Sequence, residues 1–138
     1  MRLVGGMRLE LSKRGDYAVR AMLALADDDR LLTGGRIAER TGVPASFLPQ
    51  VMGTLVRAGL VEALQGRTGG YRLARPAAEI SLLTIVEAAE GDSRRTTCIL
   101  RGVPCGMDRT CRVHAAFFGA QEALLGELSG TTLASLAR

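Results

Sequence analysis

Tryptophan is absent from these 138 residues, histidine occurs once, and aromatic side chains make up only 4%. A core must therefore be built mostly from Leu, Ala, Val and Ile, which favours helices over a β-sandwich. No stretch approaches the roughly 18 consecutive apolar residues of a membrane span. The opening MRLVGGMRLELSKRGDY has no hydrophobic signal core, so a cytoplasmic location is expected. A second MRL begins at Met7, and residues 1–6 are expected to form a disordered lead. The chain has no tandem repeat, no low-complexity tract, no G-x-x-x-x-G-K-[ST] phosphate loop and no C-x-x-C pair. It also has no acid–base pair or nucleophile–histidine arrangement in an obvious pocket context, which argues against an enzyme.

What is present allows a folded domain. Apolar residues reach 47% and charged residues 23%, an ordinary globular balance. The length suits one domain, or a small domain with an extension. The net charge of +4 is unevenly placed. Residues 1–78 hold 12 Lys+Arg and 7 Asp+Glu, a net of +5; residues 79–138 hold 6 and 7, a net of −1. A basic front half is the footprint of a nucleic-acid-binding module. Seventeen of the eighteen basic residues are Arg, and plain surface decoration would look the same.

Helical periodicity starts with Tyr17, Ala18, Ala21, Met22 and Leu25, and Asp27-Asp28-Asp29 reads as a solvated loop after that helix. In TGGRIAERTGVPASFLPQVMGTLVRAGLV, a short helix begins at Ile37 and Ala38 and Gly42 supplies a tight turn. A second stripe follows at Leu48, Val51, Met52 and Leu55. Two short helices about a Gly turn are the signature of a helix-turn-helix, with an ordinary αα-hairpin as the alternative. The second helix would show Ser46, Pro49, Gln50, Gly53, Thr54 and Arg57 outward, able to approach base edges. Pro49 lacks an N–H and fits in the first turn, with Ser46 as N-cap.

The stretch VEALQGRTGGYRLARP predicts a β-hairpin, with runs at 60–64 and 71–74 flanking a tip from Gln65 through Gly66 and Arg67 to Gly70. Arg67 rides the tip; Arg72 and Arg75 lie on the return strand. A basic hairpin behind a helix-turn-helix is a wing, suited to phosphates and a minor groove. Ser81 then caps a helix through Ala89 that Gly91 stops, residues 91–110 are loop-like, and a long helix begins near Cys111. Its stripe of Val113, Phe117, Ala120, Leu124 and Leu128 needs a partner, and a second copy of the same helix is expected to supply it. Thr131 or Thr132 caps a last short helix. The expected fold class is therefore mainly α with a small β-hairpin: a winged helix-turn-helix over 7–78, then a sensor loop (91–111) and dimerisation helix within 79–138.

Every cysteine and the one histidine fall in CILRGVPCGMDRTCRVH: Cys98, Cys105, Cys111 and His114. Three thiolates on a Gly-containing loop, with a nitrogen or oxygen donor nearby, suit an iron–sulfur cluster. The surrounding arginines would lower thiol pKa values and offset the cluster's negative charge. On spacing alone, a thiol–disulfide pair, zinc and inert thiols remain open.

LSKRGDYAVRAML, LVRAGLVEALQGRTGGYRLARP, the cysteine trio and the closing TTLASL together resemble the Rrf-two family of bacterial winged-helix regulators, which includes the iron–sulfur regulators IscR and NsrR. The resemblance covers residues 7–138. It implies a homodimeric transcription regulator, a repressor, binding two-fold symmetric double-stranded DNA under control of the cluster. The half-sites of such dimers lie about 34–36 Å apart. It implies Cys98, Cys105 and Cys111 as ligands, Ser46 and Gln50 on the recognition helix, and Ser12 and Lys13 at the DNA backbone. His114 matches an IscR-type fourth ligand and a [2Fe–2S] cluster; Asp16 matches the NsrR-type carboxylate given by the partner subunit and a [4Fe–4S] cluster. Adjacency favours His114. Two departures stand out: the first cysteine gap is one residue longer than in familiar members, and Gln65 replaces an Arg at the wing tip, leaving the groove contact to Arg67.

Overall fold

The computed structural model describes residues 10–28, 30–91 and 111–138. Cys98, Cys105, Asp29, the 1–6 lead and most of the expected sensor loop lie outside the described residues. The elements run α1 (Lys13–Ala26), α2 (Gly34–Thr41), α3 (Leu48–Arg57), β1 (Val61–Leu64), β2 (Gly70–Leu73), a single 3-10 turn (Ala77–Glu79), α4 (Leu82–Glu90), α5 (His114–Gly130) and α6 (Leu133–Leu136). This is the mainly helical, winged architecture read from the sequence.

Four helices start at a side-chain cap. The side-chain oxygens of Ser12, Thr33, Ser81 and Thr132 accept the amides of Gly15, Arg36, Thr84 and Ser135, capping α1, α2, α4 and α6. Helix α3 differs from expectation. Its N-cap is Phe47, not Ser46, and no side chain caps it. The Phe47 amide donates to the Pro44 carbonyl at 2.9 Å, so a tight turn over residues 45–47 leads in, and Pro49 falls in the first turn, where a missing N–H costs nothing. Between α2 and α3, Gly42 sits at φ +75°. A Cβ there would meet nothing within 4 Å, so the left-handed backbone, not space, demands glycine.

The core is formed wholly by apolar side chains among the described residues. Met22 on α1, Ile37 on α2, Met52 and Leu55 on α3, Ile85 on α4 and Leu133 on α6 are all essentially sealed from solvent. The core thus runs across the 78/79 boundary. The chain end is tied in by backbone bonds too: the Leu133 amide donates to the Ile80 carbonyl at 2.8 Å and Leu82 to Thr131 at 2.9 Å.

β1 and β2 pair antiparallel, Val61 opposite Leu73 and Leu64 opposite Gly70. Leu32 adds a bridge to Tyr71 that the sequence did not announce, with amide–carbonyl bonds in both directions at 2.8 and 3.0 Å. The acidic run after α1 is not simply a solvated loop. Asp28 accepts from the Arg30 amide at 2.9 Å and the Arg40 guanidinium at 3.0 Å, and Asp27 accepts from the Arg138 amide at 2.8 Å. The Arg30 amide first, then Arg40, hold the Asp28 carboxyl below the usual aspartate range. No helix of the described residues is long and apolar enough to cross a membrane.

Two outcomes follow from this packing. Gly70 lies at φ +155°, and a Cβ would sit 2.6 Å from the Leu32 carbonyl oxygen. Gly70→Ala should lose about 1–3 kcal/mol in urea unfolding, whereas Gly35→Ala, whose nearest atom is 4.0 Å away, should be neutral or gain up to about 1 kcal/mol. Because Asp28 has a depressed folded pKa, its stabilisation is present at neutral pH and is lost as pH falls below about 4. Asp28→Asn should be less stable than the native protein at pH 7, and the gap in melting temperature should close as acid protonates the native carboxyl.

Candidate nucleic-acid interface and thiol site

Helix α3 buries Leu48, Val51, Met52 and Leu55 and so must turn its other side outward. That side carries Ser46, Pro49, Gln50 and Arg57, all exposed, with Gly53 and Thr54 half-buried. Ser46 and Gln50 therefore share the N-terminal end of the outward face, where a recognition helix meets base edges. Thr54 is turned inward on its own helix: its hydroxyl donates to the Gln50 carbonyl at 3.1 Å and accepts from Arg57 at 3.3 Å. Arg57 is drawn back along α3 by the same contact. From Ala45 to Val56 the chain carries no charged residue.

The wing tip presents Gln65, Gly66 and Arg67, all exposed. Gly66 at φ +102° and a Gly69 amide bond to the Gly66 carbonyl at 3.1 Å fold the tip back. Gly69 has no room for a side chain, since a Cβ would lie 2.2 Å from the Leu64 carbonyl oxygen. The three wing arginines separate into two kinds. Arg72 pairs with Glu62 across the strands at 2.8 Å, and Arg75 donates to the Glu79 carbonyl at 3.2 Å. Among the described residues Arg67 has neither hydrogen bond nor ion pair, so its guanidinium is available to a phosphate or a groove.

Ser12 and Lys13 are exposed at the start of α1. Ser12 is doubly engaged: it caps Gly15 at 3.2 Å, and its hydroxyl donates to a Glu90 carboxylate oxygen that also accepts the Ser12 amide at 3.2 Å. Sequence reasoning missed Glu90. The available signal was its position, because a carboxylate at the C-terminus of α4 opposes that helix's dipole and needs another helix's N-terminus to favour it. Asp16, the alternative fourth ligand, lies in the first turn of α1 and pairs with Arg20 at 2.9 Å while remaining 44% exposed.

Of the four sulfur and nitrogen donors, Cys111 and His114 are described, and both are half-buried. The long helix starts at His114 instead of Cys111, because residues 112–113 form a turn in which the Cys111 carbonyl accepts the His114 amide at 3.5 Å. The two donors thus leave one turn together. His114 also stacks on Phe118, ring centroids 5.7 Å apart. Among the described residues no group of three or more metal-binding side chains gathers; Cys98 and Cys105 fall outside them. Helix α5 has no buried residue. His114, Phe117, Gln121, Leu125 and Leu128 are half-buried, whereas Val113, Ala120 and Leu124 of the expected stripe are exposed. Among the described residues, α5 packs chiefly against α4.

Comparison with known proteins fits this geometry. A family model named Rrf2 and described as an iron-dependent transcriptional regulator matches residues 11–138. The chain is 34% identical over 130 residues to the HTH-type transcriptional regulator IscR of Klebsiella pneumoniae (strain 342), covering 93% of this chain and 79% of that protein. The solved structure of T. potens IscR superposes with a TM-score of 0.76 at 29% identity, covering 96% of this chain and 88% of the other. The oxidised form of Staphylococcus aureus CymR superposes with a TM-score of 0.74 at 28% identity, covering 94% and 97%. The chain therefore belongs to the Rrf2 family of DNA-binding transcriptional regulators, the Rrf-two group it resembles in sequence, and is not an enzyme.

Proposed function

We propose that this protein is a cytoplasmic, homodimeric repressor whose affinity for a two-fold symmetric operator is set by an iron–sulfur cluster. The observation that carries this reading is the Glu90–Ser12 contact. It joins the residue before the cysteine-bearing stretch to the first helical cap of the DNA-binding half. In support of it, Cys111 and His114 leave one turn, both half-buried, and Cys98 and Cys105 stand on the same stretch of sequence. Cys98, Cys105 and Cys111 would hold the cluster, with His114 as fourth ligand; Asp16 of the partner subunit is the alternative. His114 is favoured by adjacency, since its amide bonds to the Cys111 carbonyl at 3.5 Å. The [2Fe–2S] form goes with His114 and the [4Fe–4S] form with Asp16. When bound, the group supplies a centre that responds to iron supply, redox state or nitric oxide.

The chain's own residues transmit the state. The cysteine-bearing stretch leaves α4 at Glu90 and reaches α5 just after Cys111, so holding its thiolates together would restrain both junctions. Glu90 in turn holds Ser12 and the first turn of α1. Releasing the thiolates loosens that anchor, and Ser12 and Lys13 lose their fixed approach to the DNA backbone. Ligation changes affinity only in so far as it favours one of these two arrangements. Ser46, just before α3, and Gln50 on it face the major groove, with Thr54 and Arg57 farther along the helix, while Gln65, Gly66 and Arg67 on the wing reach the backbone and minor groove. The exposed Phe118 and Leu124 on α5, with Val113 just before it, offer the dimer surface. A thiol–disulfide or zinc switch on the same cysteines is the second reading, favoured by the likeness to a relative solved in an oxidised form.

Arg67→Ala should weaken operator binding and make log affinity less steep in log salt by about 0.9 for each phosphate the arginine neutralises. Fluorescence anisotropy across a salt series checks this; an unchanged slope assigns the wing elsewhere. Anaerobically purified protein should be coloured and carry comparable iron and sulfide, and Cys105→Ala should lose both while remaining folded and dimeric. Colourless protein that stays iron-free after reconstitution, with zinc or a reversible disulfide found instead, would hand the cysteines to the second reading.

A further inference from the structure

The two most exposed large apolar side chains among the described residues are Phe118, at 53%, and Phe47, at 50%. Phe118 lies on the open side of α5. Phe47 has no such explanation. It stands at the N-cap of α3, between Ser46 and Gln50, and its ring leans on Tyr17 with centroids 6.1 Å apart and a tilt of 53°. That contact fixes one side of the ring and leaves the other in solvent. The surrounding surface is unusual for a DNA reader: Ala45, Ser46, Pro49 and Gln50 are all exposed and none is charged. Arginine, the commonest reader of guanine, is missing from this end of the helix.

We infer that Phe47 is a specificity-determining residue that reads a thymine methyl group in the major groove, beside a base read by Gln50. This rests on the assignment of α3 as the base-reading helix. A phenyl ring has no hydrogen-bonding group for a base edge, and the C5-methyl of thymine is the apolar feature the major groove offers. Gln50 suits the N6 and N7 edge of adenine. Each half-site should therefore contain a thymine contacted by Phe47 and an adenine contacted by Gln50. Tyr17 acts from behind as a positioning residue, holding the ring at the angle the turn sets.

The test is a methyl deletion made in the DNA. Duplexes enriched by the full-length dimer from a random-sequence library are resynthesised with deoxyuridine in place of each thymine in turn. This removes the methyl and leaves every hydrogen-bonding edge. At one thymine per half-site affinity should fall about fourfold, and about fifteenfold when both half-sites are changed, the worth of one buried carbon each. Phe47→Ala should bind thymine and uracil duplexes alike, and Phe47→Leu should narrow the ratio without removing apolar bulk from the turn. The uracil scan on unaltered protein stands even if Phe47→Ala folds poorly. If no thymine is sensitive, or if Phe47→Ala weakens all duplexes equally with the thymine-to-uracil ratio unchanged, the ring only buttresses Tyr17 and the inference fails. Enrichment of no duplex would overturn the DNA-reading assignment of α3 along with it.

Discussion

The apolar face of α1 is the constraint on which the remaining elements depend. Ala18 and Ala21 are small and fully buried, so neighbouring helices can approach the α1 backbone closely, and Met22 and Leu25 fill the space between them. Helices α2, α3, α4 and α6 and strand β2 all touch α1. Helix α3, the wing and the helix leading to the cysteines are thus placed by one shared surface. Enlarging Ala18 or Ala21 would force those neighbours apart, since a packed interior absorbs added volume poorly. The same helix meets Glu90 at its N-terminus, so its capped end and its buried flank are set by different parts of α4.

Several arginines of the described residues are paired with carboxylates. Arg20, Arg36, Arg40 and Arg72 each face a carboxylate at 2.9, 3.7, 3.0 and 2.8 Å. Such exposed pairs are worth little to stability, about 0–1 kcal/mol each. Their effect is rather to remove those arginines from competition for phosphate. These pairs take four carboxylates along with four arginines, so the front half keeps its net of +5 on its remaining basic residues, among which Arg67 stands out by position.

Much of this was legible because the signals are local. The Ser81 and Thr132 caps, the Gly42 turn, the apolar stripes of α1 and α3, and the Gly-rich wing tip each depend on neighbours a few residues away, and the structure has these. Where reading went astray, distant partners decided. Asp28 looked like a solvated loop residue until Arg40, twelve residues on, closed over it. The Leu32–Tyr71 bridge and the Glu90–Ser12 contact join segments that no periodicity links. The Ser46 cap failed for a local reason of another kind, because the chain enters α3 through a turn that brings Phe47 to the cap position. For α5 the spacing gave the helix, but which of two apolar sides would face α4 depended on packing. At the candidate site, Ser46, Gln50 and Arg67 lie on exposed positions of the elements expected, while the grouping of Cys98 and Cys105 with Cys111 lies beyond the described residues.

The uncharged end of α3 has a consequence for how the protein behaves as its surroundings change. Mobile ions compete for phosphate oxygens, not for methyl groups or amide-reading edges. A regulator built this way separates grip from choice: rising ionic strength loosens its hold on every site together, yet leaves the ranking of those sites nearly untouched. Under osmotic upshift such a protein would desert its weakest promoters first without being drawn to wrong ones.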